Sequence, residues 1–297
     1  MIKNFTVIES FTHYIPTGLG WIEGLDQLGH NVYAIPTSQY DYSTMSLEDI
    51  DWTIFMGTPD LQKLSQFKQL NPDTKVIVVC FGWNDIYLDL RKYVDIWIEH
   101  TYKHDLVDSE FEKHGIKLNH IPLGASSKVF SPLEIDKTYD LSFVGQFGEK
   151  GHGYRHQDYY LYPLMGLNLN GFYSGFGKYN PVQHEFLNQI YNQSKINLNF
   201  HYQSQKEQST DMSTSIDFNG RIFEIALAGG FQLCDHPNIN EYFGDEIIYS
   251  SKEDWLDTFN YYLNTPDLRK ELSIKAHQKA LANHTWKSRM SDLIKLL

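Results

Sequence analysis

Short apolar runs alternate with longer amphipathic segments along the chain. "FTVIESF" (5–11) has the make-up of a strand. Gly18 and Gly20 follow as a flexible turn, and Trp21, Leu25 and Leu28 then recur at i, i+4, i+7, the spacing of a helix with one buried face. Gly29 supplies the stop, and "HNVYAIP" resumes as a strand. "WTIFMG" (52–57), "KVIVVCFG" (75–82) and "DIWIEH" (95–100) are three more strands. This alternation predicts a parallel, doubly wound sheet.

Near residue 121 the texture changes. "HIPLGASSKVFSPLEIDKTYD" carries proline, glycine and serine without period and reads as a connection between domains. The alternation then restarts. "YDLSFVG" (139–145) is a strand, followed by a glycine-rich loop and a segment from Arg155 to Met165. "LNLNGFYSG" (167–175) is the next strand, "VQHEFLNQIYNQS" (182–194) a helix, and "KINLNFHY" (195–202) alternates with period two. The helix around Glu224 and the strands "FQLCD" and "EIIYS" come next. "TPDLRKELSIKAHQKAL" (265–281) opens a helix with Thr265 as N-cap and Pro266 at its first position. The pattern predicts two Rossmann-like α/β halves facing a central cleft, with ligands at the carboxyl ends of the strands.

Composition adds bounds. At 297 residues, with 41% hydrophobic and 15% aromatic content, the chain has enough apolar surface for real cores. No apolar run reaches membrane-span length, and "MIKNFTVIESF" lacks the apolar core of a signal peptide, so a cytoplasmic protein is expected. Cys80 and Cys234 each end a strand-like run and read as core residues rather than a disulfide framework.

The candidate chemistry starts from "NGRIFEIALAGGFQLCDHPNINEYF" (219–243). Arg221 and Glu224 sit three apart among Ile222, Phe223, Ile225 and Leu227, so both charges need partners. Two readings stand: an i,i+3 ion pair at a helix start, or a ligand site. The glycines Gly145, Gly148, Gly151 and Gly153 would let a loop approach phosphate, yet they match neither a Walker loop nor a dinucleotide fingerprint. Of five arginines, Arg155 and Arg221 lie in these segments. Arg155 reads equally as a solvated helix start.

Taken together, "FNGRIFEIALAGGFQLCD…NEYFGDEIIYS", "HTWKSR" (284–289), "YDLSFVGQFGEKGHGYR" (139–155), "IPLGASSKVFSP" (121–132) and, more loosely, "FGWNDIYLDL" (81–90) resemble the CgeB-like, or spore-maturation-protein-like, glycosyltransferases. The resemblance implies a GT-B fold. Residues 1–125 would form an acceptor domain and 126–282 a nucleotide-sugar donor domain, with 283–297 a helix crossing back to the N-terminal domain. It implies transfer of a sugar from a nucleotide-sugar, a UDP-sugar first among them, to a hydroxyl of a glycan or small molecule. Transfer to modified bases of viral DNA, and a catalytically inactive binding or structural protein of the same fold, are the alternatives.

By the same resemblance Glu224 accepts hydrogen bonds from the donor ribose, and Glu241 lies near the sugar and diphosphate. Related retaining enzymes carry a second glutamate eight positions before the ribose glutamate. Here that position is Ile216, with Asp217 beside it, so retention or inversion stays open.

An acceptor hydroxyl needs a general base. Asp85, after "KVIVVCFG", and His13, after the first strand, occupy strand ends; their bland readings are a helix cap and a loop hydrogen bond. His201 is a third candidate. His100/His104, His152/His156 and Asp49/Asp51 lack the third ligand or context of a metal site, so no tightly bound metal or other cofactor is expected. The polar stretch 203–218 is expected to be a binding loop or lid, or simply disordered. Net charge is −12. Residues 1–125 hold 9 Lys+Arg against 17 Asp+Glu, which disfavours a nucleic-acid partner.

Overall fold

The computed structural model describes residues 2–9, 17–80, 82–145, 160–175, 183–201, 215–216 and 218–297. The chain forms two compact units. The first comprises Met1–Gly124, Thr214–Asp217 and Trp286–Leu297; the second comprises Ala125–Ser213 and Phe218–Thr285.

In the first unit six parallel strands, β1 (Asn4–Glu9), β2 (Asn31–Pro36), β3 (Trp52–Met56), β4 (Lys75–Cys80), β5 (Ile96–Glu99) and β7 (Leu118–His120), form one sheet in the order β2-β1-β3-β4-β5-β7. The run from Val76 to Cys80 is entirely buried, as a central parallel strand covered on both faces requires. Its side chains alternate. Val76, Val78 and Cys80 join a core with Leu64 and Phe67 of α2 (Leu61–Leu70) and with Phe111 of α4 (Asp105–Lys113). Ile77 and Val79 join Trp21 and Leu25 of α1 (Thr17–Gln27) and Met290 and Leu293 of α11 (Trp286–Ile294).

Helices α1 and α11 approach closely because α1 carries Gly20 and Gly24. A Cβ at Gly20 would stand 2.2 Å from the Trp286 ring, and one at Gly24 would stand 2.4 Å from the Trp286 carbonyl. Two short strands absent from the periodicity reading, β6 (Lys103–His104) and β11 (Ser215–Ile216), pair antiparallel within this unit, with Ile216 opposite Lys103. The short helix α3 (Tyr87–Leu90) follows β4.

In the second unit five parallel strands take the order β13-β12-β10-β8-β9. They are β8 (Tyr139–Val144), β9 (Gly171–Ser174), β10 (Ser194–Asn199), β12 (Gln232–Cys234) and β13 (Ile248–Tyr249). Between them run α5 (Tyr162–Met165), α6 (His184–Gln193), α7 (Arg221–Leu227), α8 (Ile239–Phe243), α9 (Trp255–Leu263) and α10 (Pro266–Asn283). Two sequence expectations change here. The strand read from 167 begins only at Gly171, because Asn170 is held back by its N–H to Asp140 and its amide to Thr138 O. Thr265 occupies the N-cap position of α10, but its hydroxyl donates to Tyr261 O at 2.9 Å and so closes the preceding helix instead.

Each sheet places its first strand between its second and third: β1 between β2 and β3, β8 between β9 and β10. Chain connections therefore leave in opposite directions at β1/β3 and at β8/β10. Open α/β sheets bind ligands in that crevice, at the carboxyl ends of the strands.

Candidate functional site

At the carboxyl ends of β8 and β10, Arg221 spans the crevice. One terminal guanidinium nitrogen donates to Val144 O at 2.7 Å and the other to Phe200 O at 3.3 Å. Asn219 reinforces the same corner, with its amide 2.9 Å from Asn199 Oδ1 and 3.2 Å from Phe200 O. No carboxylate lies within ion-pair distance of Arg221 among the described residues, so the i,i+3 pair open from the sequence is not made. Burial lowers the pKa of Arg221, with the neighbouring acids Tyr191, Glu224 and Asp235 opposing it.

Glu224, one turn further along α7, is 8% exposed. Its Oε2 accepts the Tyr191 hydroxyl at 3.3 Å, and Oε1 accepts no hydrogen bond among the described residues. Burial raises its pKa from 4.5 to about 7, against the smaller opposing pulls of Arg221 and Tyr191. A carboxylate in that condition has one oxygen free for a hydroxyl donor. The apolar neighbours predicted around it are buried, and α7 ends at Gly229, whose φ of +71° is the left-handed conformation that glycine adopts without strain.

Beside this pair, the ends of β10 and β12 bring together a second group. His201 N–H lies 3.0 and 3.2 Å from the two Asp235 oxygens, and His201 Nδ1 is 2.9 Å from Asp235 Oδ1. Cys234 Sγ accepts the His236 N–H at 3.3 Å, and His236 Nδ1 accepts the Asn238 N–H at 3.2 Å. Burial drives the His236 pKa down to about 3, so that ring is neutral. His201 Nε2 is buried and without a hydrogen-bond partner among the described residues.

The other sequence candidates fall as follows. Gly145 gives its N–H to Ser174 O at 2.9 Å, and a Cβ on Gly175 (φ +145°) would stand 1.5 Å from Gly145 O. What the backbone there offers is close approach rather than a spare donor. Glu241 is exposed in the first turn of α8. Asp85 is exposed just before α3, its Oδ1 accepting from Trp83 Nε1 at 3.0 Å. The cap-like bond at that turn comes from Asn84, whose side chain accepts the Ile86 N–H, so Asp85 is not the helix cap. His13, Arg155, Asp217, Gly148, Gly151, Gly153, His152, His156 and most of the stretch 203–218 lie outside the described residues.

The sequence reading passed over two buried glutamates at strand ends of the first unit. Glu9 ends β1 and accepts the Gly18 N–H at 2.9 Å; Glu99 ends β5 and accepts the Gly82 N–H at 3.2 Å. Their signal was visible as a lone acid closing each apolar run. A cavity of about 750 Å³ in the same unit is lined by Lys3, Asn4, Asp51, Trp52 and Lys75. It sits at the amino ends of β1, β3 and β4, the opposite edge from the crevice.

The sheet order and the carboxyl-edge cluster define an α/β protein of two parallel-sheet units, and this is the GT-B fold of nucleotide-sugar glycosyltransferases. The solved structure of a glycosyltransferase involved in avilamycin A biosynthesis matches with a TM-score of 0.61 at 10% identity, over 99% of this chain and 96% of that one. An α,α-trehalose-phosphate synthase (UDP-forming) from Burkholderia vietnamiensis gives 0.60 at 9% identity, over 99% and 96%. The DNA-modifying enzyme β-glucosyltransferase, solved with and without its substrate uridine diphosphoglucose, gives 0.59 at 14% identity, over 98% of both chains. No curated protein sequence matches significantly. The sequence profile of the glycosyl transferase-like family matches residues 142–295, and the chain belongs to that family.

Proposed function

We propose that this glycosyltransferase takes a UDP-sugar at the carboxyl edge of the second unit's sheet and transfers the sugar to a hydroxyl of a glycan or small molecule. The observation that carries the reading is Glu224: a buried carboxylate with, among the described residues, no counter-ion in bonding range and one unused oxygen, beside the β8/β10 crevice. A ribose hydroxyl supplies the donor that its unused oxygen lacks. The UDP-sugar preference is supported by uridine diphosphoglucose, the substrate of the β-glucosyltransferase, and by the UDP-forming synthase of like fold. Residues 126–282 are the donor domain in this reading and residues 1–125 the acceptor domain. Residues 283–297 return to the acceptor domain, and the motif "FNGRIFEIALAGGFQLCD" supports a kinship with the CgeB-like group.

Arg221 holds the two strand ends around the diphosphate, and Gly145 lets the backbone come close. Glu241 and Asp217 serve the sugar side. Asp85 is the proposed base toward the acceptor, with His13 as its alternative. No tightly bound cofactor is required by these steps.

The experiment is a panel of nucleotide-sugars followed for nucleotide release and for binding by calorimetry. The wild type should bind and turn over one donor class. Glu224→Gln should weaken that donor by about 1–3 kcal/mol while staying folded, because a charged acceptor becomes a neutral one. Equal donor affinity in wild type and a folded Glu224→Gln would remove the residue from the site.

A further inference from the structure

We propose that His201, held by Asp235, binds the donor diphosphate through its Nε2. The proposal rests on the reading of this edge as the donor site. Both side chains are almost fully enclosed, His201 at 3% and Asp235 at 4% exposure. Asp235 fixes His201 twice, through the backbone N–H and through Nδ1, so neither the strand end nor the ring can rotate away. With Nδ1 taken, Nε2 is the one polar atom of the ring left over, and it is buried without a hydrogen-bond partner among the described residues. An unmet buried polar atom costs about 1–3 kcal/mol and calls for an explanation. A bound ligand is the direct one.

The position of His201 beside the Arg221 guanidinium fits an anionic ligand. His201 follows Phe200, whose carbonyl already receives Arg221 and Asn219 at the crevice. Arg221 is tied to backbone carbonyls, and the neighbouring His236 is neutral. With Nδ1–H given to the Asp235 carboxylate, a proton on Nε2 would complete a donor to a phosphate oxygen, next to Arg221 Nε, which is likewise buried and without a hydrogen-bond partner among the described residues. Phe218 and His236 stand edge-on to the ring at 6.0 and 5.0 Å.

His201, Cys234 and Asp235 also have ligand atoms within 4.8 Å of one another, the spacing of a metal site. Apart from His201 Nε2, these groups already have partners without an ion. His201 Nδ1 is engaged by Asp235, and the Cys234 sulfur accepts the His236 N–H.

The test compares UDP and uridine binding by calorimetry in the wild type, His201→Asn, His201→Gln and Asp235→Asn. Asn keeps an amide facing Asp235 but lacks the Nε2 position; Gln reaches that position. His201→Asn should weaken UDP by roughly tenfold or more and leave uridine unchanged, and His201→Gln should recover part of the loss. Asp235→Asn should weaken UDP in the same sense. Should the variants not fold, the wild-type His201 Nε2 resonance in long-range nitrogen NMR must move with UDP and stay with uridine. UDP binding unaltered in His201→Asn, parallel losses for UDP and uridine, a static Nε2 resonance, or stoichiometric zinc in the purified protein would each overturn the proposal. A wild type that binds no nucleoside diphosphate overturns the donor-site reading itself. Normal wild-type binding with an insensitive His201→Asn removes this proposal alone.

Discussion

Glu224 stores free energy as well as binding capacity. Its carboxyl titrates near 4.5 when exposed and at about 7 in the folded chain, burial being the main cause. Between those values the folded state holds a proton that the unfolded state has released. The associated stability is therefore complete below pH 4.5 and gone once the pH has risen through 7. Glu224→Gln removes the titration. Its unfolding free energy should match the wild type near pH 4.5 and exceed it by about 2–3 kcal/mol above pH 7, measured by urea unfolding at both pH values. A difference that does not change with pH would mean an ordinary carboxyl. Arg221→Lys makes a complementary residue-scale case. A planar fork that bonds two carbonyls becomes a single ammonium, so one of the bonds to Val144 or Phe200 is lost. The expected cost is about 1–2 kcal/mol by denaturant unfolding, with donor affinity falling as well.

At the scale of elements, the contact between α1 and α11 depends on two missing side chains. At Gly24 the obstacle is the Trp286 backbone, at 2.4 and 2.7 Å from the added Cβ, so relief requires the helices to part. Gly24→Ala should destabilise the first unit by about 1–3 kcal/mol in urea unfolding, as overpacking does. Gly20→Ala meets the Trp286 ring instead, and the double variant Gly20→Ala with Trp286→Leu should regain part of the loss. No regain would place the strain in the backbone there too. In the second unit, the Thr265 hydroxyl bonded to Tyr261 couples the end of α9 to the start of α10, and Pro266 fixes the turn between them.

For the whole molecule, charge decides between acceptors. The net charge of −12, with −8 of it in residues 1–125, leaves little with which to neutralise a polyphosphate chain. Duplex and single-stranded DNA should show no micromolar binding at physiological salt, and hydroxymethylated DNA should receive no sugar. Tight binding that weakens steeply with added salt would reverse this and bring transfer to bases forward. Among the described residues no helix is long and apolar enough to cross a membrane.

What the sequence determined by itself was local and periodic. The apolar runs around Val78, Phe143 and Leu198 marked buried parallel strands, Gly29 marked a helix end, and the restart after residue 121 marked a second sheet. Each signal follows from burial on a lattice of fixed period or from a backbone angle that only glycine adopts cheaply. Glu224 and Arg221 stood out because charge among apolar neighbours demands a partner. Their partners were not legible. Val144 and Phe200 are 77 and 21 residues from Arg221, and Tyr191 is 33 from Glu224, so only the packing of β8 and β10 side by side could bring them into range. The His201–Asp235 pair, 34 residues apart, arises the same way, from two strands held in register by their neighbours. Short β6, β7 and β11 left no period to read, because they are strands by virtue of their partners rather than their own residues. Tertiary structure alone decided which charges meet, since hydrogen bonds between distant segments depend on a sheet order that no local pattern encodes.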